Sequence, residues 1–184
     1  MSKKKVLVTY PVPAEGLRSL MDYFDVSVHR EGCMPKDSLL QVVGEYDGIL
    51  AAGISLDAGT MDAAVRLKVI SVYGAGYDNI DVKAATERGI VVTNIPDAVT
   101  DATSEIAMGL MLAVMRRISE CDRRLRLDDP FQWGMMKHMG RVLYGKELGI
   151  IGMGRIGRAV AKRAAVFGMR GSYYNRKRLD PGVE

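Results

Sequence analysis

The sequence of 184 residues contains little cysteine, histidine or aromatic residue, and it has no long apolar run. Its two cysteines, Cys33 and Cys121, form no C-x-x-C pair, which excludes a disulfide framework and favours a reducing compartment. The longest apolar run, Ile106 to Met115, is far shorter than the roughly 20 residues of a membrane span. The apolar stretch after the basic amino terminus is broken at Tyr10, so no secretory signal is predicted. We therefore expect a cytoplasmic protein with no membrane partner.

The charge is unevenly distributed between the two halves of the chain. Residues 1–100 carry a net charge of −3, whereas residues 101–184 carry +7. A basic half indicates an anionic partner, which composition leaves open as nucleic acid, an anionic membrane or a phosphorylated small molecule. With 48% apolar and 26% charged residues, the chain can bury a hydrophobic core.

The first hundred residues alternate short β-branched runs with helical patterns. Strands are predicted at Val6–Thr9, Val26–Val28, Gly48–Ala51, Lys68–Val72 and Ile90–Val92. Helices are predicted between them, at Glu15–Tyr23, Lys36–Gly44, Asp57–Val65 and Val82–Arg88. Asp81 is a good N-cap for the last of these helices, and Gly89 is a good residue to end it. Such alternation predicts a parallel sheet with helices on both faces.

The pattern changes after Pro96. Asp101 is predicted to cap a helix that reaches Met115 or beyond, and this helix is apolar nearly all round, which is typical of a buried helix. It runs on into several arginines, and Asp128-Asp129-Pro130 is predicted to end it. Residues 131–143 show no period and are predicted to form a loop or arm. A strand, a helix and a strand then follow, at Leu148–Ile151, Arg155–Phe167 and Gly171–Tyr174.

The segment Gly152-Met153-Gly154-Arg155-Ile156-Gly157 is a G-x-G-x-x-G motif. It follows a predicted strand and opens a predicted helix, which is the context that a dinucleotide-binding motif requires. Gly152 would permit the tight turn, Gly154 would let the backbone approach a pyrophosphate, and Gly157 would let helix and strand pack closely. Arg155 and Ile156 can offer backbone amides at the helix N-terminus. A glycine-rich turn used only for packing is the alternative.

The residues after the next strand bear on the choice of cofactor. An NAD site usually places a carboxylate about 20 residues past the glycines, where it accepts from the ribose hydroxyl. This chain instead has Asn175, Arg176, Lys177 and Arg178 there, and an arginine can pair with a 2′-phosphate. We expect NADPH to be preferred and NADH to be possible; the alternative is a solvated basic loop.

Longer segments resemble the D-isomer-specific 2-hydroxyacid dehydrogenases. Tyr73 to Asp81 resembles the substrate-loop signature of that family, and Val92 to Pro96 with Thr100 to Glu105 resembles its hinge and first crossing helix. Lys146 to Gly157 and Tyr173 to Arg176 resemble the nucleotide fingerprint of its glyoxylate or hydroxypyruvate reductase branch. The resemblance covers the chain from about Val6 to Leu179.

The resemblance implies an α/β protein with two domains. Residues 1–97 would form a flavodoxin-like substrate domain, and residues 98–184 would hold a crossing helix, a dimer arm and the first part of a Rossmann domain. Hydride would pass between NAD(P)H and C2 of a 2-keto or 2-hydroxy acid. The amides of Ala75 and Gly76 would hold the substrate carboxylate, with Ile54 as a pocket wall, and Thr103 would contact the cofactor.

The resemblance also implies a catalytic arginine, and a histidine paired with a glutamate, at positions after the second strand of the nucleotide domain. Neither His29 nor His138 matches that position, so we predict no catalytic residue in this chain, no metal site and no activity of the chain alone. The long helix and the arm resemble elements that build a homodimer.

Two other functions remain open from the sequence. One is a non-enzymatic NAD(P)-sensing or interaction module on the same fold. The other is a nucleic-acid binder that uses a cluster of arginines, but aromatic interleaving and a binding motif are missing, so no nucleic-acid partner is expected. The arginines of this cluster are Arg116, Arg117, Arg123, Arg124 and Arg126.

Overall fold

The protein forms two compact units, Met1–Ala98 and Val99–Glu184. The structure is a computed structural model that describes residues 3–127, 132–180 and 182. The predicted helix stop at Asp128-Asp129-Pro130 and the first residue of the predicted arm lie outside the described residues. No helix among the described residues is long and apolar enough to span a membrane.

The first unit is a five-stranded parallel sheet with the strand order β2-β1-β3-β4-β5. This order is typical of flavodoxin-like folds, and the predicted α/β class is confirmed. The strands are β1 (Lys5–Val8), β2 (Asp25–Val28), β3 (Gly48–Ala51), β4 (Val69–Val72) and β5 (Val91–Thr93). The helices are α1 (Arg18–Tyr23), α2 (Lys36–Val42), α3 (Ala58–Ala63) and α4 (Val82–Glu87). Short 3-10 turns occupy Ala14–Leu17 and Val43–Glu45.

The core of the first unit lies against the central strands. Leu7, Ile49 and Ile70 come from β1, β3 and β4, and all three are buried, as is Leu39 of α2. Central strands of a parallel sheet are covered on both faces, which explains why the β-branched runs in the sequence are short and nearly continuous. The core therefore fixes the strand ends from which the functional loops leave.

Two predicted helix boundaries in this unit are confirmed by hydrogen bonds and backbone angles. The Asp81 carboxylate accepts a hydrogen bond of 2.9 Å from the Ala84 amide at the start of α4. Gly89 follows that helix with a φ of 65°, a conformation that glycine adopts without steric cost. The helix is thereby held between β4 and β5.

The second unit contains three helices and two parallel strands. The helices are α5 (Thr100–Met115), α6 (Ile118–Leu127) and α7 (Arg155–Val166), and the strands are β6 (Glu147–Ile151) and β7 (Arg170–Tyr174). A small core of Met108, Leu143 and Ala164 lies between α5, α7 and the loop before β6. The predicted strand, helix and strand are confirmed to within two residues.

The start and end of α5 differ from the prediction. Val99 occupies the N-cap, and Asp101 lies inside the first turn, where its carboxylate pairs with Arg163 at 2.9 Å. The helix does not run on through the arginines, because Arg117 has a φ of 55° and separates α5 from α6. The prediction that Asp101 caps the helix is therefore wrong. Cap preferences are read from neighbouring residues, whereas the residue that Asp101 pairs with, Arg163, is distant in the sequence.

The prediction that α5 is buried is also wrong for this chain. Ser104 and Met108 are buried, but Ile106, Leu110 and Val114 are 66%, 62% and 75% exposed. These three residues are spaced four apart and so form one apolar stripe on the helix. We call them the α5 stripe.

Candidate functional site

The first candidate site is the turn that follows β4, at Gly74, Ala75 and Gly76. Two carbonyl groups of this turn are bound by the residues that follow β5. The Ile95 amide donates to the Gly74 carbonyl at 3.0 Å, and the side-chain amide of Asn94 donates to the Ala75 carbonyl at 2.7 Å. The turn is thus held by the neighbouring strand end.

These two hydrogen bonds fix the directions of the next two backbone amides. In a trans peptide the C=O and the following N–H point in opposite directions. The Ala75 and Gly76 amides therefore both point away from the 94–95 segment. Neither amide donates to an acceptor among the described residues. Two successive free amides on one side of a turn form an anion-binding concavity.

The glycines of this turn leave open space. A β-carbon at Gly74 would meet no atom within 4 Å, and one at Gly76 would lie 3.5 Å from Asp78. Neither glycine has a positive φ, so the backbone conformation does not itself require glycine here. The missing side chains instead leave the amides accessible to a ligand.

The loop after β3 lies near this turn in the same sheet. Ile54 is buried in the core, and its carbonyl accepts a hydrogen bond from the Asn79 side chain. A cleft of about 300 Å³ opens beside this loop, but Ile54 does not line it. Residues that line the cleft include Tyr10, Pro11, Ala52, Gly53 and Tyr73.

The second candidate site is the glycine turn between β6 and α7. Gly152 has a φ of 97°, which side chains other than glycine rarely tolerate, and its amide donates to the Tyr174 carbonyl at 2.9 Å. A β-carbon on Gly157 would overlap the carbonyl oxygen of Gly152 and lie 3.3 Å from Ile150. Glycine is thus required at position 152 by the backbone angle and at position 157 by close packing.

Gly154 is different, because a β-carbon there would meet nothing within 4 Å and its φ is negative. No side chain caps α7. The amides of Arg155, Ile156 and Gly157 are in the first turn, where an α-helix has no carbonyl of its own to receive them. A helix of 12 residues with such an end favours an anion near these amides.

The segment after β7 is basic. The Asn175 side chain donates to the Lys177 carbonyl at 3.0 Å and so closes the loop on itself. Arg176 and Lys177 are exposed. In α5, Thr103 is exposed and its amide donates to the Val99 carbonyl at 2.9 Å.

Sequence reasoning assigned no role to Asn94, nor to a cleft along α7 and β7. Asn94 could have been found, because it follows β5 and the carboxyl ends of adjacent parallel strands meet at one edge. A cleft of about 700 Å³ along α7 and β7 is lined by three cations and by none of the motif glycines. The cations are Arg158, Lys162 and Arg178. Arg178 belongs to the basic segment that the sequence had indicated, whereas the only sequence signal for Arg158 and Lys162 was their spacing of four.

The two histidines lie in different surroundings. The Nε2 atom of His29 is buried without a hydrogen-bond partner, and the Nε2 atom of His138 lies 3.3 Å from the Gln132 carbonyl oxygen. The described residues contain no group of three or more His, Cys, Asp or Glu that could hold a metal ion.

Comparison with known proteins identifies the family. The model for the D-isomer specific 2-hydroxyacid dehydrogenase catalytic domain matches residues 6–177. A glyoxylate reductase of Thermococcus kodakarensis is 43% identical over 182 residues, which cover 96% of this chain and 55% of the reductase. The chain thus spans about half the length of the relatives that it matches.

Solved structures agree with this comparison. The TT0316 protein from Thermus thermophilus is 41% identical with a TM-score of 0.89, over 96% of this chain and 57% of that protein. An NADPH-dependent glyoxylate/hydroxypyruvate reductase from Sinorhizobium meliloti, solved with NADP and malonate, is 30% identical with a TM-score of 0.79, over 98% of this chain and 56% of that one. The chain belongs to the D-isomer specific 2-hydroxyacid dehydrogenase family.

Proposed function

We propose that this chain supplies the substrate-binding and nucleotide-binding part of an oxidoreductase that interconverts a small 2-keto acid and the corresponding 2-hydroxy acid. Glyoxylate and hydroxypyruvate are the proposed substrates. The observation that carries this proposal is the pair of free amides at Ala75 and Gly76, in a chain whose relatives include glyoxylate reductases. The boundary between the substrate-binding domain and the nucleotide-binding domain is proposed to lie near residue 97.

The turn after β4 is proposed to hold the substrate carboxylate. A carboxylate needs several converging donors, and the Ala75 and Gly76 amides supply two from a backbone held by Asn94 and Ile95. Such donors orient the acid so that its C2 atom faces away from the turn. Ile54, which is buried in the core and anchors the neighbouring loop, is proposed as a wall of the substrate pocket.

The glycine turn is proposed to hold the pyrophosphate of NAD(P)H. The residues fit the group, because the open space at Gly154 and the first-turn amides of Ile156 and Gly157 present donors without a side chain in the way. The nicotinamide supplies or accepts the hydride when the cofactor is bound. Thr103 is proposed to lie on the nicotinamide side.

We further propose that NADPH is preferred over NADH. Arg176 and Lys177 are exposed on the loop that Asn175 closes, and a guanidinium can bind a 2′-phosphate with two charge-assisted hydrogen bonds. A relative from Sinorhizobium meliloti is described as NADPH-dependent. Residues 175–178 contain no carboxylate that would accept from an unmodified ribose.

A homodimer is proposed from the α5 stripe. The three apolar side chains of the α5 stripe are more than 60% exposed. A second copy that covers them removes their apolar surface from water, which is favourable. Trp133, Met135 and Met136 in the arm are also more than three-quarters exposed. Both cysteines are free thiols, which supports the proposed cytoplasmic location.

The chain is proposed to bind its ligands without completing the reaction alone, because neither His29 nor His138 matches the position of the family's catalytic histidine. The test is a titration of the 15N-labelled chain with NADPH, NADH and glyoxylate, together with an assay of NADPH oxidation. Glyoxylate should shift the Ala75 and Gly76 amide resonances, and NADPH should shift those of Gly154 to Gly157. Shifts confined to other residues would refute the proposal.

A further inference from the structure

We propose that Asn94 is a positioning residue, whose side-chain amide turns the Ala75–Gly76 peptide so that its N–H faces the substrate carboxylate. This inference rests on the function proposed above and gives a role to Asn94, which belongs to the hinge-like segment from Val92 to Pro96 but received no role from the sequence. The side-chain amide of Asn94 donates to the Ala75 carbonyl at 2.7 Å, from 19 residues away in the sequence. Asn94 itself makes no contact with the substrate in this proposal.

The two peptides of the turn are held in different ways. The Gly74–Ala75 peptide is held through its carbonyl by the Ile95 amide at 3.0 Å, which is a backbone interaction that any residue at position 95 except proline can make. The Ala75–Gly76 peptide has no such backbone partner for its carbonyl among the described residues. A side chain therefore replaces the missing strand pairing at that position.

The geometry of β5 explains why this replacement is needed. The last paired residues of β4 and β5 are Ser71 and Thr93, so the ladder ends before the turn begins. Beyond this end the two chain segments are joined only by the Ile95 amide and the Asn94 side chain in the described contacts. Without Asn94, the Ala75–Gly76 peptide could rotate and direct its carbonyl oxygen toward the anion.

The orientation of this peptide decides whether the site attracts or repels an anion. With both carbonyls directed at residues 94 and 95, both amides lie on the opposite side and add their dipoles there. A flipped peptide would replace one donor with an acceptor and leave only the Ala75 amide. Asn94 thus determines the number of donors without touching the ligand.

Asparagine suits this role better than aspartate or alanine. Its side chain has two N–H donors and is uncharged, so it can donate to a carbonyl without repelling the substrate anion. An aspartate of the same shape would place a negative charge beside both the Ala75 carbonyl and the ligand. The chemistry therefore predicts a graded series at position 94: asparagine best, alanine weaker and aspartate weakest.

The experiment uses the full 184-residue chain, labelled with 15N and 13C and titrated with glyoxylate. For Asn94→Ala we expect about tenfold weaker binding, and for Asn94→Asp a larger loss. The carbonyl 13C resonance of Ala75 should shift in both variants before ligand is added, and Asn94→Gln, which keeps a donor, should restore part of the affinity. A purely structural role would not produce this order or this rescue.

Thr86→Val is the matched control, because it also removes a side-chain hydrogen bond to a backbone carbonyl, at Val82 in α4. Its affinity for glyoxylate should equal that of the unchanged chain. Equal affinity of Asn94→Ala and the unchanged chain would overturn the role of Asn94 while the proposed function stands. No shift at Ala75 and Gly76 in the unchanged chain would overturn both.

A measurement on the unchanged chain covers the case in which the variants do not fold. A through-hydrogen-bond coupling between the Asn94 side-chain nitrogen and the Ala75 carbonyl carbon should be present and should persist in the glyoxylate complex. Loss of that coupling on saturation with glyoxylate would overturn the proposal, because the peptide would then be held by another group when the ligand is bound.

Discussion

A β-carbon on Gly157 would overlap the carbonyl oxygen of Gly152, whereas Gly154, three residues earlier, has open space on its β-carbon side. Gly157→Ala should therefore destabilise the second unit by about 1–3 kcal/mol through overpacking. Gly154→Ala should leave its stability within about 0.5 kcal/mol and weaken NADPH binding about tenfold, because the methyl group occupies the space for the pyrophosphate.

Thermal unfolding followed by the resonances of β6 and β7 measures the first effect, and NADPH titration measures the second. Gly109→Ala serves as a control for glycine substitution as such. Gly109 lies in α5 with no atom within 4 Å of its added β-carbon, so this variant should be at least as stable as the unchanged chain. Equal behaviour of Gly154→Ala and Gly157→Ala would contradict the two distinct roles.

The cofactor preference should depend on the loop after β7. Arg176→Ala is expected to weaken NADPH binding about tenfold and to leave NADH binding unchanged, because only NADPH carries the 2′-phosphate that the guanidinium binds. Dissociation constants for both nucleotides, measured at one ionic strength, give the ratio. Arg30→Ala removes an exposed arginine from the first unit and should change neither constant. A parallel loss of both affinities in Arg176→Ala would show that the loop does not discriminate.

The α5 stripe should control self-association. Leu110→Glu places a charge in the middle of the stripe and should raise the dimer dissociation constant at least about tenfold, since an unpaired charge is costly to bury. Analytical ultracentrifugation over a range of protein concentrations measures this constant. Val65→Glu is the matched control, because Val65 is 79% exposed but lies outside α5. A strictly monomeric unchanged chain would contradict the proposed dimer.

The sequence predicted the elements whose signals are local. Asp81 and Gly89 mark the ends of α4 because cap and turn preferences act within a few residues. The hydrogen bond from Asn94 to Ala75 could not be read in this way, since it depends on how β4 and β5 align. The break at Arg117 was missed because arginine is a good helix former, and its left-handed conformation has no sequence signal.

Asp47 should stabilise the first unit in a pH-dependent way. Its buried carboxylate accepts a hydrogen bond of 2.9 Å from the Lys5 amide and one of 3.0 Å from Arg66. The Lys5 amide is the main cause that holds the pKa of Asp47 below its ordinary value of 3.8. Because the pKa of Asp47 is lowered in the folded state, its carboxylate stabilises the first unit fully above pH 3.8. This stabilisation is lost as the pH falls through the lowered pKa.

Asp47→Asn should accordingly cost about 1–3 kcal/mol at pH 7, because the new amide group faces donors that had a carboxylate. The difference from the unchanged chain should shrink as both are brought to acid pH. Urea unfolding followed by the amide resonances of β1 measures both quantities, with the exposed Asp22→Asn as control. A difference that is independent of pH would contradict the assigned role of the charge.

Glu120 should report on the break between α5 and α6. Arg117 donates two hydrogen bonds of 2.7 Å to the Glu120 carboxylate, and Arg124 donates a third of 3.0 Å. The bonds from Arg117 are the main cause that lowers the pKa of Glu120 from 4.5 to about 2. Arg117→Ala should therefore raise this pKa most of the way toward 4.5, and Arg124→Ala should raise it less.

Carboxyl 13C resonances followed from about pH 6 to about pH 1.5 measure the pKa of Glu120 in each chain. Any stabilisation of the α5–α6 junction by this carboxylate is present above 4.5 and is lost as the pH falls toward 2. Arg126→Ala is the control, because Arg126 pairs with Asp122 and not with Glu120 in the described contacts. An equal rise in Arg117→Ala and Arg126→Ala would mean that general charge, rather than the two directed hydrogen bonds, sets the pKa of Glu120.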